Sequence, residues 1–271
     1  MTFLKDPILV FDIETIPDVV AGRIIQAWPQ EMADKDVISA LEVQRLQTSG
    51  TTFLQHHLHQ IVAISVLLCT PDEIRVWSLG ETNSAESDII QRFFKGIERF
   101  SPTLVSWNGS GFDLPVLHYR AMRHAIAAPA YWDMGENLAS SKWNNYLNRY
   151  HFRHLDLMDL LASYQARAYV PLDQFAQLLG FPGKLGMSGG QVSKAYHDGK
   201  IAEIRAYCET DVVNTFLVYL RFEHFRGRIS HAELQATEQR LRTTLQGLTT
   251  DAEHWQTFLD HWQQPQNDIS Q

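Results

Sequence analysis

Asp12 and Glu14 stand two residues apart near the end of Ile8-Leu9-Val10-Phe11-Asp12-Ile13-Glu14-Thr15. A run of apolar and aromatic residues of this kind reads as a strand buried on both faces of a sheet. Side chains two apart on a strand share a face, so the two carboxylates project together where the strand leaves the core. Like charges that close repel, and burying them is costly unless a positive group lies between them. A divalent cation is the usual answer; a turn cap beside a solvated acid is the plainer one for a D-x-E taken alone. Two more acids and a tyrosine stand in comparable settings downstream. Asp113 follows Asn108-Gly109-Ser110-Gly111-Phe112 at a strand-to-helix junction, where an N-cap is the simpler role. Asp211 falls within the stripe Ile204, Cys208, Thr215, Tyr219 of a long helix, with Tyr207 one turn earlier on the same face. An acid on the packed side of a helix is expensive unless paired or coordinated; a partly exposed Asp beside a core Tyr is the alternative.

The elements that must hold these groups follow from pattern. Ile61–Leu68 and Ile74–Leu79, joined by Pro71-Asp72-Glu73, read as a hairpin beside the first strand. Ser87–Phe100 is amphipathic, with Ile89, Ile90, Phe93, Phe94 and Ile97 on its apolar side. Thr103–Trp107 is a short strand running into the Gly-rich turn, and a helix follows over 114–126. His154–Leu157 reads as a last strand, then helices over 171–179, 191–199 and 201–225, with a Gly-rich loop over 181–190 that carries Lys184. Residues 18–58 form a long connection, irregular to helical and most helix-like over 36–46, able to shape access to the acids. Ser230-x-x-Glu233 and Thr250-x-x-Glu253 are capping-box starts for two tail helices, and the polar stretch Gln264–Gln271 is expected to fray.

Composition narrows the class. With 271 residues, 45% hydrophobic and 20% charged, the chain is sized for one large domain, or a domain with an extension, of a soluble globular protein. Two distant cysteines, Cys69 and Cys208, argue against a disulfide framework and fit a reducing, cytoplasmic setting. No run is apolar enough to span a bilayer, and the first residues have no signal-peptide pattern. A net charge of −8 argues against tight non-specific binding of long nucleic acid through a broad basic face, though not against a local groove. His56-His57-Leu58-His59 lacks an accompanying Cys or acid at zinc-site spacing and is not read as a metal centre. Over 131–154, Trp132, Trp143, Tyr146, Tyr150 and Phe152 alternate with Lys142, Arg149, His151, Arg153 and His154. Such interleaving suits stacking on a single strand, or simply packing beneath a long loop.

Taken in order, Phe11-Asp12-Ile13-Glu14-Thr15, Asn108-Gly109-Ser110-Gly111-Phe112-Asp113 and Tyr207-Cys208-Glu209-Thr210-Asp211 resemble the three motifs of the DEDD superfamily of 3′–5′ exonucleases, DnaQ-like proteins of ribonuclease H-like fold. The Y-x-x-x-D form of the third is that of the tyrosine (DEDDy) branch. Leu172-Asp173-Gln174-Phe175, Leu179-Gly180, Gly190-Gln191-Val192 and the run from Arg205 to Val212 are most similar to stand-alone bacterial proteins related to the proofreading domain of family B DNA polymerases. The likeness covers residues 7–225. It implies an α/β, ribonuclease H-like fold: a central mixed sheet of about five strands flanked by helices. It further implies an exonuclease domain over 1–228 with a C-terminal helical extension over 229–271.

The activity implied is metal-dependent 3′–5′ hydrolysis of terminal phosphodiester bonds in single-stranded nucleic acid, DNA favoured, with two Mg²⁺ or Mn²⁺ ions. On the same resemblance Asp12 bridges both ions, Glu14 and Asp211 complete the nucleophile-side site, Asp113 supports the other, and Tyr207 orients the attacking water. Ile13 and Thr15 would hold the terminal nucleotide, with Asn108 and Phe112 along its other side. The implied partners are a single-stranded 3′ end and a separate polymerase or repair protein, with no membrane. An exoribonuclease of the same superfamily, a nucleic-acid-binding protein on this fold that does not cut, and a phosphohydrolase of small nucleotides are the alternatives.

Overall fold

The computed structural model describes residues 6–250 and 252–262. Five strands, β1 (Ile8–Pro17), β2 (His59–Cys69), β3 (Ile74–Ser78), β4 (Thr103–Ser106) and β5 (His154–Asp156), form one sheet in the order β3-β2-β1-β4-β5. β1 pairs antiparallel with β2, and β2 with β3; β4 and β5 join parallel on the other side. This α/β arrangement, a mixed five-stranded sheet between helices, is the ribonuclease H-like fold expected from the sequence.

The two-sided apolar character of β1 follows from its central place. Leu9, Phe11 and Ile13 enter one core with α3 (Glu86–Phe100) and α4 (Asp113–Arg123). Ile8 and Val10 enter the opposite core with α9 (Ile201–Phe225). Strand alternation therefore aims Asp12 and Glu14, on the same parity as Val10, at the α9 face. The register of β1 against β2 slips between Glu14 and Thr15. Such irregularities increase the local twist and re-aim side chains, here where the acids emerge.

Between β1 and β2 the chain inserts α1 (Val19–Gln26) and α2 (Asp34–Ser49), which share a small core of Ala21, Val37, Leu41, Leu54 and Leu58. Short helices α5 (Pro129–Trp132), α6 (Leu157–Leu161), α7 (Leu172–Leu178) and α8 (Val192–His197) complete the connections, and α10 (His231–Leu248) and α11 (Glu253–His261) follow α9. Leu234, Leu241, Leu245, Trp255, Phe258 and Trp262 of this tail lie in the same core as Ile8 and Val10. Burying each such side chain stabilises by about 1.5–3 kcal/mol, so these helices are part of the fold's main core.

The capping box at Ser230 forms: Glu233 N–H donates to Ser230 Oγ at 3.2 Å and Ser230 N–H to Glu233 Oε2 at 2.9 Å. The one expected at Thr250 does not. The N-cap of α11 is Ala252, with no side-chain cap, because the helix begins two residues later than the Thr-x-x-Glu spacing implies. The polar stretch 264–271 lies outside the described residues. Cys69 and Cys208 are both free and buried. Among the described residues, no helix is long and apolar enough to cross a membrane.

Candidate active site

β1, the start of α4 and the middle of α9 bring Asp12, Glu14, Asp113, Asp211 and Tyr207 together. Asp113 is not a cap: the N-cap position is Phe112, and Asp113, first residue of the helix, turns its carboxylate to β1, where Oδ1 accepts from Ile13 N–H at 3.2 Å. Ligand atoms of Asp12, Glu14 and Cys208 all lie within 4.8 Å of one another. The Cys208 thiol donates towards Asp12 Oδ2 at 3.5 Å and the Asp12 carbonyl at 3.4 Å. Asp211 Oδ1 is buried with no hydrogen-bond partner. The Tyr207 hydroxyl faces Asp211 and eases its ionisation.

Burial dominates the electrostatics. It pushes Asp113 up to about 7 and Asp211 up to about 6. Asp12 and Glu14 are raised well above the carboxylate range, by burial first; Asp113, Glu14 and Asp211 then raise Asp12, and Asp211 raises Glu14. Tyr207 is raised by burial and then by the charges of Asp211, Glu14 and Asp12, so its phenol stays protonated at any physiological pH. Burial and the adjacent carboxylates raise the Cys208 thiol likewise. Four carboxylates with an unpartnered buried oxygen form a donor set for hard divalent cations, which take carboxylate oxygens by preference.

The residues expected along the terminal nucleotide are held by part-buried contacts. Asn108, at φ 65°, and Ser110 donate their backbone N–H groups to the two oxygens of Asp156, each at 2.9 Å. A Cβ on Gly109 would run into Ser106 Oγ, so this turn needs glycine there. His59 Nε2 lies 3.2 Å from the Leu54 carbonyl and Nδ1 lies 2.8 Å from Thr15 Oγ1. Since a carbonyl only accepts, the proton is on Nε2 and Thr15 donates to Nδ1; burial lowers His59 to about 4, keeping it neutral. The Phe112 ring contacts His59 at 5.1 Å and Phe53 at 5.3 Å between centroids, and Phe53 is 54% exposed. The long 18–58 connection thus supplies one wall beside Phe112.

Sequence reasoning assigned no role to Asp156, Cys208, His59 or Lys184. The ammonium of Lys184 lies 5.4 Å from the Tyr207 ring centroid, and its charge favours ionised Glu14 and Asp211. Its loop is pinned by buried Asn214, which donates to the Gly183 carbonyl at 2.8 Å, and by Asp173, which accepts from Lys184 N–H at 2.7 Å. The only sequence signal was a lone Lys among glycines.

The aromatic-basic segment at 131–154 divides. Tyr146 is buried, stacked on Tyr131, and its hydroxyl donates to the Pro102 carbonyl at 2.8 Å. Arg149 pairs with Asp159 at 2.6 Å and Arg153 donates to the Ser101 carbonyl at 2.7 Å. Ser140, Ser141, Asn144 and Asn145 line a cavity with Asp6 and Pro7. Six residue steps of strand lead from Ile8 to Glu14, so the part of the segment beside Pro7 sits roughly 20 Å from Glu14 along β1.

Residues 51–262 match the profile of a family described as a predicted 3′–5′ exonuclease related to the exonuclease domain of PolB, and the chain belongs to that family. The match contains Asp113, Tyr207 and Asp211 and begins after β1, so Asp12 and Glu14 join the site through the geometry above. It also takes in α10, α11 and the rest of the described tail. A family B DNA polymerase from the hyperthermophilic archaeon Pyrobaculum calidifontis is similar in structure, with 16% identity and a TM-score of 0.47 over 78% of this chain and 23% of that one. The chain thus spans about a quarter of that polymerase's length. No curated protein matches the chain.

Proposed function

We propose that the chain is a metal-dependent 3′–5′ exonuclease of single-stranded nucleic acid, with DNA favoured. The observation that carries this reading is the unpartnered, buried Asp211 Oδ1 beside three more carboxylates whose proton affinities burial has raised. Asp12, Glu14 and Asp211 would hold one Mg²⁺ or Mn²⁺ and Asp12 with Asp113 the other; such ions, when bound, supply a nucleophilic water at neutral pH and stabilise the leaving oxygen.

The chain's own groups do the rest. Tyr207, kept protonated, is a poor base; its proton faces Asp211, and its hydroxyl oxygen positions the attacking water by accepting from it. The proton of Thr15 is committed to His59, so the hydroxyl oxygen offers only lone pairs to donors on the terminal nucleotide. The main chain at Ile13 and Thr15 borders the terminal sugar. Asn108, fixed by Asp156, and the Phe112 face line the base, aromatic faces being tolerant of sequence. The preference for DNA rests on the relation of the family to the PolB exonuclease domain. We place the exonuclease domain at 1–228 and the helical extension at 229–271, in the cytoplasm, with a separate polymerase or repair protein as a further partner.

The test is a gel assay on 5′-labelled single-stranded DNA and RNA of one sequence, in Mg²⁺, Mn²⁺ or EDTA, with Asp12→Ala as control. The expected result is a ladder shortening from the 3′ end, faster on DNA, lost in EDTA and in the mutant. Faster shortening of RNA would make the protein an exoribonuclease. No ladder with either metal would overturn the assignment.

A further inference from the structure

Asp12 begins a row of polar side chains that the proposed chemistry does not use. Its cross-strand neighbour on β2 is Ser65, and the neighbour of Ser65 on β3 is Ser78. Ser65 Oγ and Ser78 Oγ are 2.9 Å apart, and Ser78 donates to Glu209 Oε1 on α9 at 2.7 Å. Cys208, within hydrogen-bond reach of Ser65, closes the row by reaching back to the Asp12 carbonyl at 3.4 Å and Asp12 Oδ2 at 3.5 Å. At the far end, Glu209 Oε2 lies 3.2 Å from His254 Nε2 on α11. Ser65 and Cys208 are fully buried and Ser78 nearly so. Hydroxyls in a sheet core are costly unless bonded, and apolar residues fill the α9 face of these strands a step away, at Val10, Leu67 and Val76.

Proton counting gives the row a direction. A hydroxyl has one proton, and that of Ser78 goes to Glu209. Ser65 must then donate to Ser78, which leaves it no proton for Asp12. The thiol of Cys208 is the remaining side-chain donor to Asp12 in this row, and its single proton lies between the Asp12 carbonyl at 3.4 Å and Oδ2 at 3.5 Å, so it ties the carboxylate to its own main chain.

We propose that Cys208 is a positioning residue which, backed by Ser65, Ser78 and Glu209, fixes the rotation of the Asp12 carboxylate so that its free lone pairs meet the cation. The inference rests on the metal-dependent reading above. It also brings α11 to the far end of the row, where His254 Nε2 lies beside Glu209. Groups that orient a ligating carboxylate typically matter about 10- to 100-fold for metal affinity when removed.

The test is Mn²⁺ binding to the full chain without nucleic acid, followed by the electron paramagnetic resonance of the free ion. Cys208→Ala should weaken binding about tenfold. Cys208→Ser, which keeps a donor at the same place, should restore most of the affinity. Ser78→Ala, one step further from Asp12, should weaken binding less but in the same direction, and it decides the matter should Cys208→Ala not fold by circular dichroism. Wild-type affinity in a folded Cys208→Ala, or in Ser78→Ala, overturns the inference. So does equal weakening by Ala and Ser at 208, which would make the side chain a matter of packing. A wild-type chain that binds no Mn²⁺ removes the metal reading and this inference together, an outcome distinct from a wild type that binds and a variant that binds as well.

Discussion

Two groups of buried and half-buried carboxylates lie close to the end of β1, and the chain treats them in opposite ways. One is built on Arg120, whose guanidinium donates to Asp18 and, at 2.7 and 2.5 Å, to both oxygens of Glu86. The other oxygen of Asp18 caps α1 by accepting from Ala21 N–H at 2.9 Å. Glu86 also accepts from Ile61 N–H and faces His124, each at 2.7 Å. The side chains of Arg120, Asp18 and Glu86 are all largely covered, and every carboxylate oxygen has a partner. The second group is Asp12, Glu14, Asp113 and Asp211. It has a thiol, a backbone N–H and a phenol for partners, an orphaned oxygen, and an exposed lysine as the cation whose charge reaches it. Where acids serve structure, the sequence brings its own cation to them. Where it withholds one, the proton affinities rise, and the group is arranged for a cation from outside.

The largest effects separate the two groups most cleanly. Asp211→Asn should remove nearly all nuclease activity, yet in EDTA near pH 8 the protein should gain on the order of 1 kcal/mol, because a charge held out of water is gone. Denaturant melts with and without Mg²⁺ check both halves; a loss of stability in EDTA would mean that the acid is structural. Arg120→Met should do the reverse. It strands Asp18 and Glu86 in the core and should cost about 3–5 kcal/mol, with or without metal. A variant as stable as the wild type would show that the Arg120 group is not the structural counterpart described here.

What was legible in the sequence was local in origin. Period-two alternation placed Asp12 and Glu14 on one face of β1, and the helical stripe placed Asp211 among the buried residues of α9. The order of the motifs and their elements then implied the sheet that joins them. What was not legible depends on partners distant in sequence. Arg120 looks like any helix arginine until the fold sets it beside Asp18 and Glu86, 102 and 34 residues away. Asp156 serves the Asn108 turn across 48 residues. Lys184 is placed by Asn214 and Asp173, which a Gly-rich loop does not reveal. Composition at 131–154 showed aromatic and basic residues, but an irregular segment has no period to say which face packs, and Tyr146 turned out to be core. The Thr250 capping signal failed for a like reason: a capping box is a permissive pattern, and packing of Trp255 and Phe258 sets where α11 begins.

A moderate effect sharpens the comparison by pH. Asp113 and Asp211 titrate near 7 and 6 in the metal-free fold, above their value of 3.8 in an unfolded chain. A raised carboxylate binds more protons folded than unfolded, so its contribution to stability is full below 3.8 and is lost as pH rises through about 6 to 7. A bound cation replaces those protons. The gap in melting temperature between Mg²⁺ and EDTA should therefore be small at pH 5 and widen by several degrees through pH 7, as a stabilisation of about 1–2 kcal/mol would give. Neutral His59 and His154, buried, and half-buried His118, each lowered to about 4, lose stability as pH falls below 6.5 in both buffers and cancel in the difference. A gap that is constant from pH 5 to 8 would sever the acids from the metal.

The smallest effect concerns Lys184, whose charge reaches the acids. Lys184 is exposed, so water and salt screen its charge, whereas Arg120 is buried and is screened little. Lys184 favours ionised Glu14 and Asp211. Without it both keep their protons to higher pH, and protons compete with the cation. Lys184→Gln should thus lower activity at pH 6.5 and limiting Mg²⁺ by about fivefold, the scale of one partly screened charge at several ångströms. The loss should shrink at pH 8.5, where the acids ionise unaided, and again at high salt. Thermal stability should hardly change, because an exposed ion contributes little to it. If the loss is the same at 0.05 M and 0.5 M salt, then Lys184 acts by contact, with Tyr207 or with the substrate phosphate, and the site holds a structural cation of its own after all.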